Sequence, residues 1–443
     1  MSFVQVAEVT VDPTRARVYE HGWQSWSPTG SHPLTATAPR PADARRRSMR
    51  YRPGAAPPAG AFQGEGVLAI DSGTQIHLFT AADVERAVPS IRATSNGPAV
   101  VVAADGQVAV SVVDGDLDRA LGAWADDLVH RMGVAPIRPA PTVWCSWYHY
   151  FTEVTEADVA ENLAAIVDLD LPVDVVQIDD GWQAGIGDWL TLSDRFTSLD
   201  AVAGRVRDAG LRAGIWVAPF LVGAGSSTAA DQPDWLVAGP DGAPASAGHN
   251  WGQDLYGLDV THPGAADYVR RVFEGLRRTG FDYFKIDFVY AAALPGARHD
   301  GRGPLDAYRH GLRVVREAIG ADAYLLGCGA PILPSVGLVD AMRVSADVAP
   351  SYEPADGDLG GPSQRGATLS TASRAWQHGR FWVNDPDCLL ARPAIERRED
   401  WARVVERYGG LRASSDRIAD LDDWGLDTTR RLLSTVPPPT PFP

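Results

Sequence analysis

A lysine and an aspartate two residues apart, Lys285 and Asp287, interrupt the apolar run Gly280-Phe-Asp-Tyr-Phe-Lys-Ile-Asp-Phe-Val-Tyr290. Strand alternation puts both side chains on one face, so an ammonium and a carboxylate converge on one point. A buried ion pair would account for such a pair standing alone. Other strand-like runs, however, also end in polar or charged residues: Asp179 with Asp180, Trp216, Cys328, Asp347, Asp385 with Asp387, and Asp416. A ring of carboxylates suits either a metal site or hydrolysis of a glycoside by a pair of acids. First-row metal catalysis would recruit histidine, yet only His149 lies near a strand end, and neither HxH nor HExxH occurs. Glycoside hydrolysis needs one ionised carboxylate, one held protonated, hydrogen-bonding groups and aromatic faces for the sugar. The ring contains all of these, so neither metal nor organic cofactor is expected.

The elements that must position these residues begin at Thr142, where apolar strand-like runs start to alternate with helical patterns. Eight candidate strands start near Val143, Val173, Arg212, Phe281, Ala323, Ala341, Phe381 and Gly410. Helical patterns cover 156–168, 199–209, 265–278, 305–319, 366–378 and 398–408. Such a series predicts a (β/α)8 TIM barrel, in which polar residues at the C-terminal ends of strands face the active site. No GxGxxG or GxxxxGK fingerprint argues for an open nucleotide-binding sheet. The long connection between Phe220 and Ala265 is expected to lie over the barrel mouth.

Short alternating runs at 3–11, 66–70, 75–80 and 100–113 predict a small antiparallel β domain over residues 1–115. A helical and Pro-rich linker (116–141), the barrel (142–436) and a disordered tail (437–443) complete the expected organisation. Residues 39–58 read as a loop in which Arg45, Arg46 and Arg47 are solvated. The paired tryptophans of His21-Gly-Trp-Gln-Ser-Trp-Ser27 suit core anchors, and aromatic faces also stack on sugars, so this segment is expected to reach towards the mouth. With 40 Lys and Arg against 56 Asp and Glu, the net charge of −16 disfavours nucleic acid. Three cysteines without CxxC spacing give no disulfide framework. No membrane span or leader pattern is seen, and a cytoplasmic protein is expected.

The order of motifs resembles glycoside hydrolase family 36, the α-galactosidase or melibiase family. The resemblance runs over the barrel through Trp144-Cys-Ser-Trp147, Gln177-Ile-Asp-Asp-Gly-Trp182, Gly214-Ile-Trp-Val-Ala-Pro219, Pro233-Asp-Trp235, Leu258-Asp-Val-Thr-His-Pro263, Lys285-Ile-Asp287 and Arg343-Val-Ser-Ala-Asp347. It implies that Asp287 is the nucleophile and Asp347 the general acid/base of a retaining, double-displacement mechanism. Asp179, Asp180 and Lys285 would bind sugar hydroxyls, Trp216 would wall the pocket, and Arg343 and Cys328 would lie near the acid/base side and the 2-position of the sugar. The sequence departs from the family pattern in a short N-terminal β domain, no C-terminal β domain, Phe288-Val289 after the nucleophile, and Gly327-Cys-Gly-Ala-Pro331 without the usual serine. The expected function is therefore hydrolysis of terminal α-linked galactosides in an oligosaccharide or glycoside. An α-N-acetylgalactosaminidase or a raffinose-synthase-like transglycosylase stays open, as do linkage and oligomeric state. A non-catalytic carbohydrate-binding barrel is the rival of another class, and the presence of both Asp287 and Asp347 speaks against it.

Overall fold

The computed structural model describes residues 2–36, 40, 43–54 and 56–442. Eight parallel strands, Thr142–Cys145, Val175–Ile178, Arg212–Val217, Phe281–Ile286, Tyr324–Gly327, Ala341–Arg343, Val383–Asp385 and Arg412–Ser414, form one sheet in chain order. The last strand pairs back on the first. Between the seventh and eighth, Asn384 O accepts from Gly410 N (3.0 Å) and Leu411 N (2.9 Å) in place of a regular ladder, leaving the barrel nearly closed. Each strand lies in one of the eight apolar runs, because helices cover the outer face and side chains fill the inner one. Gly280 shows how tightly the site strand is delivered. Its left-handed conformation (φ 108°) ends the helix Pro263–Thr279 one residue before the strand Phe281–Ile286 begins.

In front of the barrel stand two antiparallel sheets. One has the order Val4–Thr10, Ala99–Ala104, Ser90–Asn96, Ala61–Glu65; the other runs Gly30–Pro33, Arg17–Glu20, Val67–Asp71, Ile76–Ala81, Val108–Val113. Val18, Phe62, Leu68, Ile70, Phe79, Ile91 and Val102 pack between them. The helix Leu117–Met132, capped by Asp116 and ended by left-handed Gly133, leads towards the barrel.

Three expectations need correction. The connection after Phe220 is not bare loop: Leu221–Gly223, Gln253–Gly257 and Ser246–Asn250 form a three-stranded antiparallel sheet. Of the loop expected at 39–58, residues 39, 41–42 and 55 lie outside the described residues, and the remainder contains the helix Ala44–Arg50. Its arginines are not merely solvated, because Arg46 meets Asp356 at 2.8 Å and Arg50 meets Asp358 at 2.6 Å. Of the disordered tail expected at 437–443, residue 443 lies outside the described residues, and Phe442 is packed, stacking on His378 with ring centroids 4.0 Å apart.

Arg374 joins the two parts of the molecule. Fully buried, it donates to the carbonyls of Ser25 and Val344 (2.8 Å each) through Nη1 and to those of Gly22, Gln24 and Ser27 (3.0–3.2 Å) through Nη2. One guanidinium thus gathers the turn of residues 22–27 and fixes it to the barrel, using a fork of donors that no other side chain offers. Arg374→Ala should take the donor away from the carbonyls of Gly22, Ser25, Ser27 and Val344 and cost about 3 kcal/mol or more. Denaturant unfolding monitored by tryptophan fluorescence would read the loss.

Candidate active site

Three strand ends build one charged cluster. Lys285 Nζ lies 2.9 Å from Asp179 Oδ2 and 4.0 Å from Asp287 Oδ2, and all three side chains are buried. Burial alone would lower the Lys285 pKa, but Asp179, and behind it Asp287, hold it well above its ordinary value. Asp179 is further fixed by Gln177 Nε2 (2.6 Å) and by Cys145 Sγ (3.3 Å). Asp287 accepts from Trp216 Nε1 (3.1 Å) and from the Phe288 backbone N–H (2.8 Å). Phe288 itself is left-handed (φ 51°), a conformation uncommon for a bulky residue. On the adjoining strand end, Gly329 is also left-handed, and a Cβ there would stand 2.8 Å from Phe288 N, 2.9 Å from Trp26 Cη2 and 3.0 Å from Asp287 Oδ1.

The second cluster centres on Arg343, which faces three carboxylates: Asp385 at 3.0 Å, Asp387 at 2.8 Å and Asp347 at 3.5 Å. Asp387 also accepts from the Tyr148 hydroxyl and from Val348 N (2.8 Å). Asp385 and Asp387 are thereby occupied with Arg343. Asp347 is held least tightly of the three, and 32% of its side-chain surface opens into a cavity. Its pKa is pushed up to about 7, first by burial beneath the mouth and then by Asp387, with Arg343 opposing and Asp287 adding to the rise. Cys328 is buried close by, its thiol pushed up by burial and then by Asp287.

Asp180 points elsewhere, accepting from Gln183 Nε2 (2.6 Å) and Trp251 Nε1 (2.9 Å), and burial raises its pKa to about 6. The next helix begins only at Leu199, so Asp179 and Asp180 do not cap one. Sequence reasoning missed Trp251. It stands at a hairpin tip in which Trp251 (φ 49°) and Gly252 (φ 69°) are both left-handed, as a two-residue primed turn requires. Asn or Gly usually holds the first of these positions, and the indole there packs on Phe288 with centroids 5.1 Å apart. The tetrapeptide Asn-Trp-Gly-Gln was the available signal. Trp26 was weighed as a core anchor; its ring lies edge-on to Phe288 at 4.8 Å and lines the cavity beside Asp347. Asp416 belongs to neither cluster, being held by Arg392 at 2.6 Å.

All eight site residues named from the sequence therefore gather at the C-terminal rim or directly beneath it. Paired carboxylates, a buried lysine and indole walls on a (β/α)8 barrel define the class: a glycoside hydrolase. Comparison with known proteins names the family. The Melibiase profile matches residues 135–306. The structure superposes on an α-galactosidase from Thermus thermophilus, solved in complex with p-nitrophenyl α-D-galactopyranoside, with a TM-score of 0.82 and 32% identity, covering 98% of this chain and 90% of that one. An α-galactosidase of Escherichia coli is 32% identical over 158 residues, which are 34% of this chain and 21% of that protein. A 28% identical stretch of the α-galactosidase AgaA of Geobacillus stearothermophilus covers 40% of this chain and 25% of that protein. The matches to these two curated relatives thus span about a quarter of their length or less. The chain belongs to the melibiase family, glycoside hydrolase family 36. Among the described residues no helix is long and apolar enough to cross a membrane.

Proposed function

We propose that the protein is a retaining α-galactosidase that hydrolyses terminal α-linked galactosides by double displacement, with Asp287 as nucleophile and Asp347 as acid/base. The contrast between the two carboxylates carries this assignment. An indole N–H, a backbone N–H and an ammonium surround Asp287, which suits a group that must act as an anion. Asp347, raised to about 7, is poised to give up a proton near neutrality and to take one back from water in the second step. Lys285, Asp179, Asp180 and Trp251 supply hydrogen-bonding groups for sugar hydroxyls, Trp216 walls the pocket, and Arg343 holds the acid/base side. The 2-position of the sugar is placed on the Cys328 side, where Gly329 lets the backbone pack directly against Phe288, Trp26 and Asp287. The catalytic roles count against a purely carbohydrate-binding barrel.

A panel of p-nitrophenyl α-glycosides tests the substrate class: turnover of the galactoside above the N-acetylgalactosaminide is expected, and the reverse order would reject the galactosidase assignment. Lys285→Ala should lower kcat/KM about 100-fold or more, equivalent to about 3 kcal/mol, because it removes a donor and a charge from both Asp179 and the sugar. Unchanged kinetics with a lowered unfolding midpoint would instead make Lys285 a structural ion pair.

A further inference from the structure

Around Asp347 negative charge outnumbers positive, and the nearby cations are committed elsewhere. Lys285 is held by Asp179 at 2.9 Å, and Arg343 stands closer to Asp387 (2.8 Å) and Asp385 (3.0 Å) than to Asp347 (3.5 Å). One guanidinium cannot offset three carboxylates packed beneath the rim, so the group retains a proton near neutral pH. The donors decide which carboxyl keeps it. Asp387 Oδ1 accepts from Cys388 N (2.6 Å), and Oδ2 accepts from Val348 N (2.8 Å) and from the Tyr148 hydroxyl. Donors on both oxygens favour the anion, which Arg343 Nη2 pairs at 2.8 Å. Burial raises the Asp387 pKa, but Arg343, Tyr148 and Val348 N–H pull it back, whereas Asp347 is left at about 7.

The backbone is bent to hold Asp387 in this place. The residue is fully buried with φ 97°, beyond the left-handed range that side chains ordinarily tolerate. Its segment is also stitched to that of Asp347. Val344 N donates to Asp385 O (3.0 Å), Ser345 Oγ donates to Pro386 O (2.9 Å), and Val348 N reaches the Asp387 carboxylate itself. Asp347 is faced by Arg343 on its own strand, Asp287 and Lys285 on the fourth, Cys328 after the fifth, Asp387 after the seventh and Tyr148 after the first. His249, Arg46, Arg50 and Asp356 line the cavity outside it, where Asp356 and Asp358 match the two arginines. Of the carboxylates in this circle, Asp387 is the one bonded to the residue next to Asp347. We infer that Asp387 is a positioning residue for the acid/base: its fixed negative charge makes Asp347 hold its proton until the glycosidic oxygen takes it, and then take one back from water. The inference rests on the mechanism proposed above.

The pH profile of kcat/KM on an α-galactosyl disaccharide tests it. The alkaline limb of the wild type should lie near pH 7. Asp387→Asn removes the charge and frees Arg343 for Asp347, so the limb should move down by about one pH unit or more. Tyr148→Phe takes a donor from Asp387 but leaves its charge, so the limb should stay or rise. A limb unmoved in Asp387→Asn would overturn the inference. So would a limb that falls in Tyr148→Phe, because the placement of the loop rather than its charge would then control the proton. Tyr148→Phe carries the test alone if Asp387→Asn does not fold. An alkaline limb that survives in Asp347→Ala would refute Asp347 as the acid, a failure of the proposed mechanism distinct from either of these results.

Discussion

Asp287→Gly will abolish turnover, by about 10⁴-fold or more, and millimolar azide will restore part of it on an activated α-galactoside. The carboxylate sits among the Trp216 indole, the Phe288 N–H and the Lys285 ammonium, so its removal leaves a small, positively lined space at the point of attack. An anion the size of azide fits that space and approaches from the face that the carboxylate used. The product must then be the β-glycosyl azide, whereas the intact enzyme returns the α-anomer first. Proton NMR reads both. A β-anomer as the first product of the unmodified enzyme would mean inversion and would refute Asp287 as nucleophile. Inversion also needs carboxyl groups about 6.5–9.5 Å apart, against about 5–5.5 Å for retention, so a complex with a substrate analogue offers a geometric check.

Asp347→Ala should depend strongly on the leaving group. General acid catalysis contributes about 10²–10⁴-fold where the departing alcohol needs a proton, and little where a nitrophenolate leaves unaided. Disaccharide hydrolysis should therefore fall by about that factor, while the first step on p-nitrophenyl galactoside is spared and its second step, now without a base, becomes limiting. The pH profile supplies an independent sign. Asp347 is pushed up to about 7, and the acid works only while protonated, so kcat/KM should decline as pH rises through about 7. Asp347→Ala should remove that alkaline limb. A limb unchanged in the variant would assign it to another group.

The barrel was legible because its strands are buried on both faces. Runs such as Phe281-Asp-Tyr-Phe stand out as apolar, and a polar residue at the end of such a run marks the rim. The N-terminal sheets were only partly legible. The strands Arg17–Glu20, Ala61–Glu65 and Ser90–Asn96 carry Glu20, Gln63, Glu65 and Ser90, which are buried in a hydrogen-bonded network with Arg40, Arg52 and Asp105. Hydrophobic alternation cannot register a strand whose inward residues are polar. The helix Ala44–Arg50 was hidden for a related reason: its arginines read as solvated, yet they are ordered by Asp356 and Asp358, which lie some 300 residues away in the chain. Trp251 and Tyr148 needed the third dimension, since each reaches its carboxylate from a different strand connection.

Arg374 also has a bearing on the order in which the protein is made. A ribosome delivers the turn of residues 22–27 long before the arginine that binds its carbonyls, and domains emerging first tend to fold first. Through most of synthesis, then, the nascent sandwich carries an unfinished edge, with the carbonyls of Gly22, Ser25 and Ser27 awaiting the guanidinium of Arg374. The pocket wall that Trp26 provides cannot exist on a truncated product. Premature termination yields material without that wall and with an apolar surface open to chaperones, so sugar cleavage would report that translation ran past residue 374.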